Sequence, residues 1–496
     1  MRAYQRLKQR WQKAGRIRQA AGVLNWDQSV MMPIGGAAAR AEQMAILAAQ
    51  AHDLLTDSAI EGELRAAEHE SLNEWDRRNL QLMEREFIKD KAIPAELVAD
   101  LSAAQSAAEQ AWGMARDRHD FSLVRDELAR VFELTKQRAE TLSQVLSLSP
   151  YDVLLDDFEP GLEAARIDAI FADYDAFLPD FLVQVQAQQA AEPTIILPEG
   201  PFEIGAQEVF GRQVVTQLGF NFDYGRLDVS RHPFCAGYPS DVRITTRYDT
   251  ADFTSALMGL IHETGHALYE SGLPEAYAAQ PVGAAAGMAA HESQSLLMEM
   301  QAGRSDAYLS YLVPALRAHF GGDGPAWTFE NLRRLYRKVA PGLVRVDADE
   351  VTYPAHVMLR YELEKALFAG ELTIDDLPTA FADGLQARLG VRPQNDFDGV
   401  LQDIHWYFGG FGYFPTYTLG AMAAAQLFAA AKAALPRLEA DLAQGDFSAL
   451  VDWLQIHIHG KGRLLTTDGL LSAATGESLN ARIFQQHLRN RYLGTA

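Results

Sequence analysis

The sequence predicts a mostly α-helical protein with one small β element. Apolar residues recur at helical spacing in stretch after stretch, Pro and Gly fall mainly between those stretches, and strict period-two alternation is clear in only one place. With 496 residues, 48% hydrophobic and 22% charged, the chain has globular composition and enough length for a large core.

The first twenty residues carry seven basic side chains and no acid, from Arg2 to Arg18. Tyr4, Leu7, Trp11 and Ile17 stand among them at near-helical spacing, so an amphipathic helix is expected rather than a targeting presequence. With no apolar secretory core before Asn25, the expected location is cytoplasmic. Further helices are expected over 38–52, 72–89, 96–118 and 123–145, punctuated by Pro33, Gly35-Gly36, Pro94, Pro150 and Pro160-Gly161. No fixed-period repeat is present. The stretch 190–202, with Pro193, Pro198, Gly200 and Pro201, reads as a connector. It would divide a single catalytic unit, 1–496, into a helical N-terminal wall (about 1–190) and a catalytic part (about 200–496). The one clear strand is 241–248, where Val242, Ile244, Thr246 and Tyr248 alternate with Asp241, Arg243, Thr245 and Arg247.

A formal charge of −22 argues against nucleic-acid or anionic-membrane partners, which would repel the chain. A single cysteine, Cys235, excludes an internal disulfide framework and any multi-cysteine metal site. No stretch approaches the roughly 18 uninterrupted apolar residues of a membrane span.

The segment 252–272 reads as one helix. Asp249, Thr250 or Asp252 can cap its start, Gly272 can end it, and Pro274 prevents its continuation. Phe253, Ala256, Leu257, Leu260 and Ile261 supply its apolar stripe. Inside it lies His262-Glu263-Thr264-Gly265-His266. Four residues apart, the two imidazoles project from one face with Cβ atoms about 6 Å apart. Both can then reach a single Zn²⁺ at about 2.0–2.1 Å. Glu263, turned by about 100°, sits beside the metal and can touch a water without ligating. A catalytic zinc takes three protein ligands and keeps one position open. The downstream candidates are Glu270, Glu275, His291, Glu292 and Glu299. Glu270 shares the helix of His266 and would strain a tetrahedral site. A second helix after the Pro281/Gly283 break is the better source, and spacing alone does not separate Glu292 from His291 or Glu299.

Taken in order, the motifs resemble the carboxypeptidase Taq type of thermostable zinc metallocarboxypeptidase over most of the chain. The matching segments begin with Asn25-Trp26-Asp27-Gln28, Met32-Pro33, Gly36, His232-Pro233-Phe234 and Asp241-x-Arg243-x-Thr245. They continue with His262-Glu263-x-x-His266, His291-Glu292-Ser293-Gln294 and Arg345-Val346-Asp347-Ala348-Asp349. Gly399-x-x-Gln402-Asp403-x-His405-Trp406 and Gly412-Tyr413-Phe414-Pro415-Thr416-Tyr417 complete the set. Val344 departs conservatively from the family's usual Ile or Asn. The resemblance implies Glu292 as third ligand to one zinc per subunit, for which Co²⁺ or another divalent ion can substitute. It also implies a large helical fold with a deep active-site groove and a small sheet, like neurolysin and angiotensin-converting enzyme. The implied activity is removal of single C-terminal residues with broad specificity, by a cytoplasmic homodimer.

On that reading Glu263 is the general base, and His405, Tyr417 and Tyr413 are candidate donors to the oxyanion. A free substrate carboxylate calls for an arginine fork. Arg345 is the first choice, with an ion pair to Asp347 or Asp349 as its structural alternative. Arg360 is the second, with Glu364 as its structural partner four residues on. Arg243 either helps an extended substrate pair along its strand or, with His232, buttresses that strand. The competing readings are a related zinc endopeptidase or oligopeptidase and, remotely, a non-catalytic helical zinc-binding scaffold.

Overall fold

The apolar stripe of the N-terminal segment, Tyr4, Leu7, Trp11 and Ala14, is the buried face of the helix Ala3–Val30. It packs on Ala51, Leu55, Ile60, Leu64, Met83 and Phe87. Its cationic side pairs outward, Arg6 with Glu63 at 2.7 Å and Arg10 with Asp57 at 3.0 Å. The basic run is therefore the wet side of an amphipathic helix. The other expected helices form as Ala37–Leu55, Glu74–Ala92, Ala95–Arg118 and Arg125–Leu146. These features come from a computed structural model, which describes residues 2–494.

The chain forms two compact units. One comprises Met1–Asp90, Thr194–Tyr336 and Ala423–Leu479; the other comprises Lys91–Pro193, Arg337–Met422 and Asn480–Ala496. The helix Ala164–Ala190 stops where the Pro-rich connector begins. However, the segment up to Asp90 groups with the metal-motif residues rather than with the rest of the N-terminal half. Buried polar bonds tie it there. Asn79 Nδ2 donates to Gln280 Oε1 at 3.0 Å, Gln280 Nε2 to the Lys8 carbonyl at 3.0 Å, and Val282 N to Asn79 Oδ1 at 3.2 Å. Pairings across some 200 residues leave no mark on local periodicity.

Within the first unit a three-stranded sheet has the order β1-β3-β2, with β1 Gly225–Val229, β2 Cys235–Tyr238 and β3 Asp241–Thr246. β1 is parallel to β3 and β2 antiparallel to it. Val242 and Ile244 face the core with Val215, Phe220, Leu260 and Ala267. The alternation fails at Thr245, which is fully buried because its hydroxyl accepts from Ser230 Oγ at 2.7 Å and Phe234 N at 3.0 Å. β3 is the central strand, so both its edges are taken and no extended peptide can pair along it.

Asp252 caps the motif helix Phe253–Ser271 by accepting from Thr254 N at 2.8 Å. After two short turns, Glu275–Tyr277 and Pro281–Gly283, the crossing helix Met288–Leu296 begins. It then loosens into a π-helical stretch, Leu297–Gly303, that the sequence reading did not anticipate. The two helices meet at Gly265. A Cβ there would collide with the Gln294 carbonyl oxygen and stand 2.6 Å from Ser295 Cα. The backbones can approach this closely only because Gly265 has no side chain. Gly265→Ala should therefore push the helices apart. We expect a destabilisation of about 1–3 kcal/mol, read as a lowered melting temperature, together with weakened metal retention in a chelator assay.

Candidate functional site

His262 and His266 project from the motif helix and Glu292 from the crossing helix, with one donor atom of each within 4.8 Å of the others. His266 Nε2 and Glu292 Oε2 are 3.6 Å apart. That is too far for a hydrogen bond and suits ligands that share one ion at about 2 Å each.

The other nitrogens of the two histidines are already engaged. His262 Nδ1 lies 3.0 Å from Glu299 Oε2, and Arg304 Nη2 donates to Glu299 Oε1 at 2.6 Å. An ionised carboxylate only accepts, so His262 donates from Nδ1 and leaves Nε2 as the nitrogen a metal would take, displacing its proton. His266 reaches the same state through a longer chain. Glu270 Oε1 is 2.9 Å from His291 Nε2, and His291 Nδ1 is 2.6 Å from His266 Nδ1. Glu270 accepts and His291 donates from Nε2, which leaves His291 Nδ1 to pair with Nδ1 of His266. The candidates left open by spacing fall in different places. Glu292 joins the two histidines, Glu270, His291 and Glu299 stand behind them, and Glu275 lies in a separate turn.

Charge around the trio is negative. Burial opposes a charged His262, but its hydrogen bond to Glu299 and the charges of Glu292, Glu299 and Glu263 outweigh it and raise the imidazole to about 10. Burial raises the Glu263 carboxyl to about 7, with His262 pulling it down and Glu292 pushing it up. The Cys235 thiol is pushed well above its ordinary value by burial, then by Glu263 and Glu270. Nitrogen and carboxylate donors, two engaged Nδ1 atoms and a carboxylate surround fit a divalent metal.

Arg243 is engaged elsewhere in the same unit. It forms a fork with Asp241, both bonds at 2.8 Å, and lies 4.5 Å over the Trp26 ring. Arg226 does the same with Asp228 and sits 4.8 Å from that ring. Trp26 thus bridges two paired arginines.

In the second unit, Arg345 and Arg360 share one mostly buried acid, Asp403. Arg345 donates from Nε and Nη2 to Oδ1 at 3.0 and 2.7 Å, and Arg360 from Nε to Oδ2 at 2.7 Å. Neither expected partner is used: Arg345 does not pair with Asp347 or Asp349, nor Arg360 with Glu364. Asp349 accepts from Val351 N and Thr352 N instead. Tertiary partners win at buried positions over local spacing. Arg345 Nη1 also donates to the Tyr353 hydroxyl at 2.8 Å, and its guanidinium stacks 4.8 Å over Tyr417. His405 Nε2 pairs with the Tyr417 hydroxyl at 2.9 Å. Burial, opposed by Asp403 and reinforced by both arginines, lowers the imidazole to about 3, so it is neutral. Tyr413 lies 5.3 Å from His405 and 5.2 Å from Tyr417, ring to ring.

Sequence reasoning gave no role to Asp403, although it stands inside a quoted motif two residues before His405. It also missed Arg304, for which no local signal exists.

The family model of carboxypeptidase Taq (M32) metallopeptidases matches residues 6–492. Thermostable carboxypeptidase 1 of Thermus thermophilus is 38% identical, over 99% of this chain and 98% of that protein. Carboxypeptidase 1 of Bacillus subtilis is 35% identical, over 96% and 95% respectively. Among solved structures, Trypanosoma cruzi metallocarboxypeptidase 1 is 39% identical with a TM-score of 0.96, over 99% of both chains. The M32 carboxypeptidase from Deinococcus radiodurans R1 is 37% identical with a TM-score of 0.93, over 99% of this chain and 98% of that one. A match along nearly the whole chain, with the helical fold and the two-histidine, one-glutamate trio already described, makes this protein a member of the carboxypeptidase Taq (M32) family of metallopeptidases.

Proposed function

We infer that this chain is a zinc carboxypeptidase that removes single residues from the free C-terminus of peptides with broad side-chain tolerance. The carrying observation is the trio His262, His266 and Glu292, whose histidine Nδ1 atoms are both engaged behind it. Those three residues would hold zinc, and Co²⁺ or another divalent ion could replace it. When bound, zinc supplies a Lewis acid that polarises the scissile carbonyl and makes water a stronger nucleophile.

Glu263 accepts the proton of the attacking water and delivers it to the departing amine. Its buried place beside the first histidine supports that role. His405 and Tyr417, joined by their hydrogen bond, and Tyr413 beside them act as the polar group for the developing oxyanion. Arg345 reads the substrate carboxylate. Among the described residues three of the five N–H donors of its guanidinium are engaged, which leaves two. Arg360, 1% exposed, is its buried counterpart on Asp403. The reading takes the enzyme to be a cytoplasmic homodimer, as the family resemblance implies, and light scattering on the purified protein tests the dimer.

Timed mass spectrometry of an unblocked peptide should show a ladder shortening from the C-terminal end, and amidation of that end should stop it. Internal cuts, or unchanged cleavage of the amide, would mean an endopeptidase. Glu263→Gln should keep its zinc and lose at least about 100-fold in kcat. A variant with normal zinc content and more than about a tenth of wild-type turnover removes Glu263 from the base role. His291→Ala should weaken zinc retention by about 10–100-fold in chelator competition, and unchanged retention would leave the Glu270–His291 chain without a part in metal binding.

A further inference from the structure

Glu364 is a buried carboxylate that the reaction as described does not use. It sits on the helix Tyr353–Ala369 and is 0% exposed. Oε1 accepts from Trp406 Nε1 at 2.8 Å; Oε2 accepts from Gly412 N at 2.7 Å and from the Tyr151 hydroxyl at 2.8 Å. Burial pushes the carboxyl up to about 7, against those donors and the charge of Arg360. Since the Arg360 fork lies on Asp403, no salt bridge draws Glu364 away from this task.

What the three donors have in common is the segment 404–414. It runs as turns and irregular backbone, so no helical or sheet ladder fixes its course. Trp406 adjoins His405, and Gly412 adjoins Tyr413. The segment lies on the helix Pro150–Phe158, which also supplies Tyr151. At Gly412, where φ is +89°, a Cβ would stand 2.7 Å from the carbonyl carbon of Leu154. One carboxylate therefore ties together the helix beneath the segment, its beginning and its end.

We propose that Glu364 is the positioning residue of this segment, fixing the backbone that presents His405, Tyr413 and, at the start of the next helix, Tyr417. The proposal rests on the assignment of those residues to the oxyanion. A misplacement of about 1 Å is enough to cost up to about 100-fold in rate, and the backbone bonds inside the segment, such as Gly410 N to the His405 carbonyl at 2.7 Å, are local turns that do not anchor it to the rest of the unit.

The test compares Glu364→Gln, Tyr151→Phe, Tyr417→Phe and the Glu364→Gln/Tyr417→Phe pair. All are zinc-loaded and assayed on an unblocked peptide at about pH 8.5, where the carboxyl is ionised. We expect kcat to fall about 10-fold in Glu364→Gln and less in Tyr151→Phe, with zinc content and KM essentially unchanged. The double variant should lose clearly less than the product of the two single losses, because part of the Glu364 effect passes through the tyrosine. An unchanged kcat in Glu364→Gln, a loss confined to KM, or losses that multiply in full overturns the proposal. A Tyr417→Phe variant with wild-type kcat instead overturns the oxyanion assignment, and the proposal with it. Should Glu364→Gln fail to fold, the cycle of Tyr151→Phe with Tyr417→Phe reads the same coupling.

Discussion

The metal trio depends on how closely two helix backbones can approach. Glutamate is a medium-length side chain. If Glu292 is to place an oxygen beside two imidazoles on another helix, the helices must nearly touch where they cross. Gly265, between the two histidines, allows this, since any side chain there would strike the backbone at Gln294 and Ser295. The interval inside the His-Glu-x-x-His motif thus does two jobs. Its length sets the two nitrogens on one face, and its glycine admits the helix that carries Glu292.

Around that crossing, orientation is set by acids that do not themselves ligate. Glu299 reaches His262 from the π-helical stretch, braced by Arg304, and Glu270 reaches His266 by way of His291. A π turn shifts side chains out of ordinary helical phase, and that offset is where Glu299 is found. The second unit uses the same device with different chemistry. Asp403 fixes two arginines and Glu364 fixes a run of turns. In each case a buried carboxylate with several donors sets the geometry of a neighbouring polar group.

Much of this was readable from residues alone, and the boundary of legibility has a physical basis. Features written in local spacing were clear: the helices, the capped motif segment, the strand at 241–248 and the pair His262 and His266. Glu292 was only one of several possibilities by spacing, and the family resemblance singled it out. Features that depend on tertiary partners were not visible. Arg345 and Arg360 were given local ion-pair alternatives, yet both bind Asp403, because at buried positions the three-dimensional surround decides who pairs with whom. The strand bearing Arg243 was read as a possible platform for an extended chain. Strand order makes it central, and order is a long-range property. The grouping of the first ninety residues with the motif unit followed the same rule, resting on Asn79 and Gln280.

The surroundings of Cys235 also bear on how the protein can be handled. Its sulfur is the only one of its type in the chain, and at this half-buried position desolvation and the charges of Glu263 and Glu270 disfavour the thiolate. Alkylating reagents attack the thiolate, so the native cysteine would react slowly with maleimides at neutral pH. Fluorophores or spin labels could then be attached at introduced surface cysteines without first deleting the natural one.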